Sequence, residues 1–497
     1  MATKVDPESI VQKESIDAAM FAKMFAKEIA KAMISDPNKS GSRANKTYTS
    51  TYTQETLYGY LADPVKNEKN LRNASGYMYN ANTRYSRLLQ YYAGMPTYSY
   101  VISPLNFDAS KVNEDKFKKQ YFKVVNKLEL MNIREEARKQ VLIALKDGAF
   151  YGVRWSDSAS SFVQKLDPDI CQITSISDGV FLFSVDMSKI KEDKLGCYPP
   201  EFAQMFDAYR NGGNKWQPVS PNISVCIKAD PSTPDYSLPP FAAVLPELFF
   251  IKDTQSLQEA SNELDNYKLL SGEIPTDKEG KPVITYSEML DYYKHIAGNI
   301  GERVGLAISP FELKAIDFSK SASAETVDAT TRAVSNFWSS CGTNALLHGA
   351  ENNTAGVAKL AIKSDETFVF GLLDQCERQI NRFLKTSMGG SIRFKIKFLR
   401  MTVFNQDEMI KQYKESVNFG IGKSQYLAAL DIPQFDIEGL TYIENNVLKV
   451  DKLLTVLKTA STQSADGSND TGRPLSDDTD LDATGQSTRD NDTNANR

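Results

Sequence analysis

The chain has 497 residues, of which 41% are hydrophobic and 24% charged, and a formal net charge of -5. That length leaves room for roughly three domains, and the apolar fraction suffices for a sizeable buried core. The longest apolar run, 241–251, is interrupted by Pro246 and Glu247, far short of the ~18 apolar residues a bilayer span needs, so no membrane segment is expected. Residues 1–9 carry acids and a proline rather than a basic region leading into an apolar block, so no secretory signal is expected. The five cysteines, Cys171, Cys197, Cys226, Cys341 and Cys376, are odd in number and form no CxxC pair. Reduced structural thiols in a reducing compartment are the expectation.

The first periodic element is 16–34, with Phe21, Phe25, Ile29 and Met33 on one face and Lys23, Lys27 and Lys31 on another. Docking on a partner or on its own fold is the ordinary use of such a helix, and a membrane surface the alternative. Residues 38–52 read as a link. Gly41 to Thr47 imitates a phosphate loop, but Asn45 replaces its second glycine and no strand precedes it. A helical pattern covers 67–92, after which Gly94 and Pro96 turn an aromatic stretch into extended chain. A helix over 114–131 points Phe117, Tyr121, Val124 and Leu128 inward and aligns Lys116, Lys119, Lys123 and Lys127 in one stripe. A solvated face is the usual reading of that stripe, and a face toward nucleic acid the alternative. Another helix follows over 134–145. From 148 to 227 short strands such as 150–155 and 180–185 alternate with turns, so the body is α+β.

A polar helix is expected over 253–271, with Leu257, Ala260, Leu264 and Tyr267 as one thin apolar stripe and Asp253, Glu259, Glu263 and Asp265 as acids elsewhere. A second, over 325–341, repeats the design with Val327, Val334, Phe337 and Cys341 and is stopped by Gly342. An antiparallel pair is implied. Between them come a turn at 276–282, a helix over 286–300 and extended runs over 304–318. A loop over 343–354 then leads into a long helix, 355–388, which would reach ~50 Å at 1.5 Å per residue. Alternation of Ile392, Phe394, Ile396 and Phe398 with Arg393, Lys395 and Lys397 marks a half-buried strand with a cationic face.

Asn405 and Glu408 have the spacing of a capping box. Leu440, Ile443, Val447, Val450, Leu454 and Leu457 trace a helical seam, for packing within its own domain or against an adjacent subunit. From 459 onward eight Asp face three Arg with no aromatic residue. This composition cannot bury enough surface to order itself, and it accounts for the net charge of the whole chain. Asp478, Asp480 and Asp482 imitate a calcium loop, but Ala483 and Arg489 stand where Gly and Glu are required.

Material for catalysis is thin. Only His295 and His348 exist, and neither HExxH nor GxSxG occurs, so a zinc site or serine triad is not expected, nor a cofactor, and the chain reads as a non-enzyme.

The order of elements resembles that of the tailed-bacteriophage portal proteins. The phrases that carry the likeness are Tyr91-Tyr92-Ala-Gly94-Met-Pro96-Thr-Tyr98-Ser-Tyr100, Glu351-Asn-Asn-Thr-Ala-Gly356-Val-Ala-Lys-Leu360, Gly371-Leu-Leu-Asp374 through Arg378-Gln-Ile-Asn381-Arg-Phe-Leu384, and Gly420-Ile-Gly422-Lys-Ser424. They lie within residues 50–458. The resemblance implies a portal fold: an α/β wing, a two-helix stem, a small α/β clip, a tunnel loop with a long wing helix, and a helical crown. On this chain that gives an N-terminal arm (1–46), wing (47–251), first stem helix (252–271), clip (272–322), second stem helix (323–342), tunnel loop (343–354), long helix and wing strands (355–432), crown helix (433–458) and acidic tail (459–497).

It further implies a ring, typically of twelve copies, at one capsid vertex, with double-stranded DNA passing non-specifically through its channel. The implied partners are the terminase large subunit, a head-completion or adaptor protein, and the major capsid and scaffolding proteins. The virion and, during assembly, the host cytoplasm are the implied locations. His348, Glu351, Asn352 and Asn353 would touch DNA from the tunnel loop. The acids Asp253, Glu259, Glu263 and Asp265 would line the stem, and Lys278, Glu279, Lys281 and Tyr286 would belong to the clip. An acidic, hydroxyl-rich stem agrees with sliding, because a lysine-lined one would grip phosphates and stall. Two competitors are another head-tail adaptor ring, usually shorter and without the clip insertion, and a packaging enzyme, which would need the phosphate loop that Gly41 fails to supply.

Overall fold

The computed structural model describes residues 52–265 apart from 106, 109, 111–112 and 157–159, then 268–273, single positions between 283 and 295, 304–309, 319–342, 355–388, 392–433 and 436–449. The chain divides into two compact units, 1–435 and 436–497. The expected helix over 16–34, the link after it up to residue 51 and the tail from 459 lie outside the described residues.

The larger unit opens with three helices, α1 (Gln54–Ala62), α2 (Glu68–Ala81) and α3 (Thr83–Gly94). The single helix expected over 67–92 is in fact two. Asn82 leaves the helical region, with φ -128° and ψ 115°, and its side chain accepts from the amides of Arg84 at 3.0 Å and Tyr85 at 3.2 Å. An Asn able to cap the next helix thus outcompetes continuation of the previous one. β1 (Tyr100–Leu105) follows, then α4 (Glu114–Leu130) and α5 (Ile133–Asp147), joined at Asn132, whose φ of 43° is left-handed. Val124 and Leu128 of α4 are buried and Phe117 and Tyr121 half-buried, as their spacing requires, while Lys116, Lys119 and Lys123 are exposed and Lys127 half-buried.

Six strands and one helix make up the next stretch: β2 (Ala149–Ser156), β3 (Ser161–Lys165), β4 (Cys171–Ser177), β5 (Val180–Asp186), α6 (Glu201–Arg210), β6 (Trp216–Pro218) and β7 (Ser224–Lys228). They form two three-stranded antiparallel sheets, β3-β2-β7 and β4-β5-β6. The first sheet lies between two cores, and the two-residue pleat divides its side chains. Phe150, Val225 and Ile227 enter the larger core, whereas Ala149, Tyr151, Val153 and Cys226 enter the second, with Phe183, Val185 and Phe202. Gly148 makes the entry into β2 possible. Its φ is +87°, and a Cβ there would stand 2.6 Å from the Ser237 carbonyl oxygen.

Then come α7 (Leu245–Asp265), β8 (Lys268–Glu273), β9 (Val304–Ser309), α8 (Ser319–Ser340) and α9 (Ala355–Ser387). The polar helix expected over 253–271 therefore begins eight residues earlier and stops at Asp265. Residues 268–273 are instead a strand, paired parallel with β9 from Lys268↔Val304 to Glu273↔Ser309. A parallel pair cannot be closed by a hairpin, so the intervening chain acts as a crossover. Its described residues 287, 288, 291, 294 and 295 are helical, and Thr285 donates to Glu288 at 2.6 Å through its hydroxyl and 3.1 Å through its amide.

The larger unit ends with β10 (Arg393–Phe398), α10 (Gln406–Asn418) and α11 (Lys423–Ala429). β10 alternates exposed and buried positions as expected and runs antiparallel to β1. The capping box does not form. Asn405 Oδ1 accepts from the Thr402 amide at 2.8 Å and its Nδ2 donates to Glu366 at 3.0 Å, while Glu408 receives Lys359 at 3.3 Å. Partners distant in sequence displace the local signal. In the second unit α12 (Asp436–Tyr442) continues as a π-helical turn, Ile443–Val447. Leu440, Ile443 and Val447 are exposed, so the described part of the expected seam is not buried in its own fold, and Val450, Leu454 and Leu457 lie outside the described residues.

Candidate functional site: a rooted pair of polar helices

α7 starts where an apolar run meets Pro246, a residue well suited to a first turn because the missing N–H has no intrahelical acceptor there anyway. Leu245, Leu248, Ile251 and Thr254 are buried along it. The three-residue recurrence gives a stripe that drifts round the helix, and Thr254 satisfies its hydroxyl on the Phe250 carbonyl at 2.8 Å. α8 buries Ala333, Phe337 and Trp338 in its last turns, and Cys341 just past its end is buried with them. Phe337 and Trp338 meet edge to face, with centroids 4.9 Å apart. Gly342, with φ +73°, ends it, and its amide bonds the Ser339 carbonyl at 3.0 Å. Ser339 and Ser340, at the end of α8, share one groove with Glu247 and Phe250, at the start of α7. The helices therefore run antiparallel, rooted where both join the larger core.

Their composition beyond the root is polar. α7 carries five acids against one lysine, and α8 two of each with many Ser, Thr and Ala. Of the expected channel acids, Asp253 and Glu259 are exposed, and Glu263 and Asp265 fall in the last turns of α7. His348, Glu351, Asn352 and Asn353 lie outside the described residues, as do Lys278, Glu279, Lys281 and Tyr286. His295 is exposed. Among the described residues no cluster of His, Cys, Asp and Glu could hold a metal, and no helix is long and apolar enough to cross a membrane.

The long helix α9 holds this region to the body through two adjacent buried acids. Tyr91 and Tyr92 donate to Asp365 at 2.9 and 3.1 Å. Thr402 and Asn405 donate to Glu366 at 2.6 and 3.0 Å. Burial pushes the Asp365 carboxyl above its ordinary range, against the two tyrosine bonds that pull it down. The folded chain then holds a proton that the unfolded chain has already lost. The stabilisation is fully present below the ordinary carboxylate pKa and lost as pH rises through the raised value. Asp365→Asn keeps an acceptor oxygen without the charge. Its unfolding midpoint should gain on that of the parent as pH rises from about 4 to 7, and parallel profiles for the two proteins would refute the assignment.

Further along α9, amide side chains that sequence reasoning missed close two sheet edges. Gln375 takes both the amide and the carbonyl of Lys228, at 3.0 and 2.9 Å, and Gln379 donates to the Cys226 carbonyl at 2.8 Å. Asn381 does the same for Ile396, at 2.7 and 3.0 Å, and Glu377 accepts the Phe398 amide at 2.9 Å. The pairs 375/379 and 377/381 are each four residues apart and lie on opposite sides of the helix, one against β7 and one against β10. The only signal in the sequence is polar residues standing between the buried Leu372, Leu373, Cys376, Ile380 and Leu384.

No protein-family model matches the chain, and no curated protein sequence does. Among solved structures, a similar chain comes from the neck of an empty GTA (phage-like gene transfer agent) particle computed with C6 symmetry. It is 15% identical, the likeness covers 74% of this chain and 94% of that one, and the TM-score is 0.42. The functional reading accordingly rests on the residues of this chain.

Proposed function

We propose that the chain is a portal-type subunit: a non-enzymatic protein that closes with copies of itself into a ring, twelve in an assembled virus head, around a channel for packaging and ejecting duplex DNA. The observation that carries this reading is the antiparallel pair α7 and α8. It is rooted in an α+β body, separated by the β8–β9 module and followed by α9. A lone subunit gains little from two long helices with polar, net acidic surfaces. Copies standing side by side around an axis bury their flanks and present the remaining charge to a lumen. Acids and hydroxyls there let phosphates slide, since few counterions are released at any register. Asp253, Glu259, Glu263 and Asp265 would supply the acids of that lumen. The loop 343–354, with His348, Glu351, Asn352 and Asn353, joins the stem to α9 and would meet the duplex without reading its bases. The β8–β9 module, with Lys278, Glu279, Lys281 and Tyr286 in its crossover, would dock the terminase and later the head-completion protein.

Electron micrographs of the purified protein and of assembled heads test the reading directly. Closed rings with an axial hole wide enough for a duplex are expected, and solitary globules in both preparations would overturn it. Shortening 343–354 should lower packaged DNA at least tenfold with rings intact, and unchanged packaging would remove the loop from the mechanism. Nucleotide turnover by the purified protein alone would favour the packaging-enzyme alternative instead.

A further inference from the structure

The cationic face of β10 lies outside the paired helices. Arg393, Lys395 and Lys397 are all exposed, while Phe394, Ile396 and Phe398 between them are buried. The cross-strand register sets Val101 opposite Lys397, Ser103 opposite Lys395 and Leu105 opposite Arg393, so β1 adds no charge of either sign to that face. Exposed bases of the neighbouring elements hold acids: Arg400 holds Asp374 at 2.9 Å, Lys385 holds Asp178 at 3.1 Å and Lys359 holds Glu408 at 3.3 Å. None of the three on β10 has an ion-pair partner among the described residues. Lys395 and Lys397 act on Glu377, but that acid is half-buried and its Oε2 is taken by the Phe398 amide at 2.9 Å. At most one charge in three is answered there. Like charges side by side on a strand repel, and the fold offsets that repulsion only in part.

The row is also rigid and regular. β10 is hydrogen-bonded to β1 along one edge and closed on the other by Asn381 and Glu377 of α9, so the backbone beneath the three charges is fixed before any partner arrives. Alternate residues of a strand stand ~6.8 Å apart. Successive phosphates of one duplex strand, rising ~3.4 Å each and lying on the outside of the helix, stand about 7 Å apart. We infer that this face is a sequence-independent contact for the phosphate backbone of nucleic acid, separate from the proposed channel, with one base to each of three successive phosphates. The half-buried Ser103 offers its hydroxyl beside Lys395 as a further donor. An acidic peptide fits less well: with both edges of β10 closed it cannot add there as a strand, and it would be left with three side-chain pairs alone. Three bases in a row grip phosphates, the opposite of what acids and hydroxyls do in the channel, so this face holds nucleic acid rather than letting it slide.

Fluorescence anisotropy of a labelled duplex of about 20 base pairs, titrated with the purified full chain from about 50 to 200 mM salt, tests the contact. The triple change Arg393→Gln, Lys395→Gln, Lys397→Gln should weaken binding about tenfold or more at the lower salt. It should also flatten the slope of log affinity against log salt by about 2–3, close to one for each base removed. Each single change should take about 1 from the slope, and Lys395→Arg should leave it as it is. Arg400→Gln and Lys385→Gln remove bases that already hold acids and should change affinity less than about twofold. Circular dichroism reports folding, and the single changes decide the matter if the triple variant does not fold. No binding by the parent, or a slope indifferent to the triple change, overturns the contact. Polyglutamate of matched charge that binds the parent as tightly as the duplex, and loses as much in the triple variant, overturns nucleic acid as the partner. Native mass measurement on the same samples keeps the ring apart from this site: a slope lost in a monomeric protein upholds the contact while the ring fails, and rings with an unchanged slope do the reverse.

Discussion

Asn381→Ala should lower stability by about 3 kcal/mol, seen as a lower midpoint of chemical unfolding at unchanged slope. The side chain bonds the Ile396 amide at 2.7 Å and the Ile396 carbonyl at 3.0 Å, and Ile396 is fully buried. β10 pairs with β1 on one side only, so its other edge presents backbone groups that must be satisfied. Water cannot reach them at Ile396. Removing the amide thus orphans two buried groups at once, each worth roughly 1–3 kcal/mol when left unmade. Asn381→Asp keeps an acceptor for the amide, loses the donor for the carbonyl and introduces a charge, and should fall at least as far as a single lost bond. Lys385→Ala, one turn on and half exposed, removes only a surface ion pair with Asp178 at 3.1 Å and should cost under about 1 kcal/mol. Equal losses at 381 and 385 would mean that the helix is held by its apolar face alone.

This bracing also marks the boundary of what the sequence made legible. The alternation in β10, the inward stripe of α4, the length of α9 and the stop at Gly342 could be read directly, because each depends on a period or a glycine within one segment. The split at Asn82 and the lost capping box at Asn405 had local signals with two readings. At Asn82 the capping role won, and at Asn405 it lost to Glu366, whose oxygen lies 39 residues away in sequence. The end of α7 was missed for a different reason. Leu257, Ala260, Leu264 and Tyr267 make a plausible helical stripe that runs past Asp265, and only β9, more than thirty residues later, converts 268–273 into a strand. No local period encodes a parallel partner. The same holds for the candidate site. The thin apolar stripes marked two paired helices, but the groove that Glu247 and Phe250 share with Ser339 and Ser340 exists only once α1, α7 and α8 are brought together.

Phe337→Ala should remove about 3–5 kcal/mol, through lost burial and the cavity left behind. Phe337 is fully buried and packs edge to face on Trp338 at 4.9 Å. It stands in the larger core with Leu245, Leu248 and Ile251 of α7. The position is what gives the change more than a stability effect. Further along the pair, the described surface residues Asp253, Glu259, Thr331 and Arg332 are exposed, so the root supplies much of the apolar contact that fixes the two helices to the body. A void at 337 should therefore loosen the pair before it unfolds the β4-β5-β6 sheet, whose core contains no residue of either helix. Limited proteolysis should cut within 253–342 at least tenfold faster in the variant, while fragments of 171–218 stay protected. If the variant forms rings, their channel ends should be blurred in averaged images relative to their bodies. Uniform cleavage along the chain would show instead that stem and body unfold as one, and that the polar helices are anchored along their whole length rather than at the root.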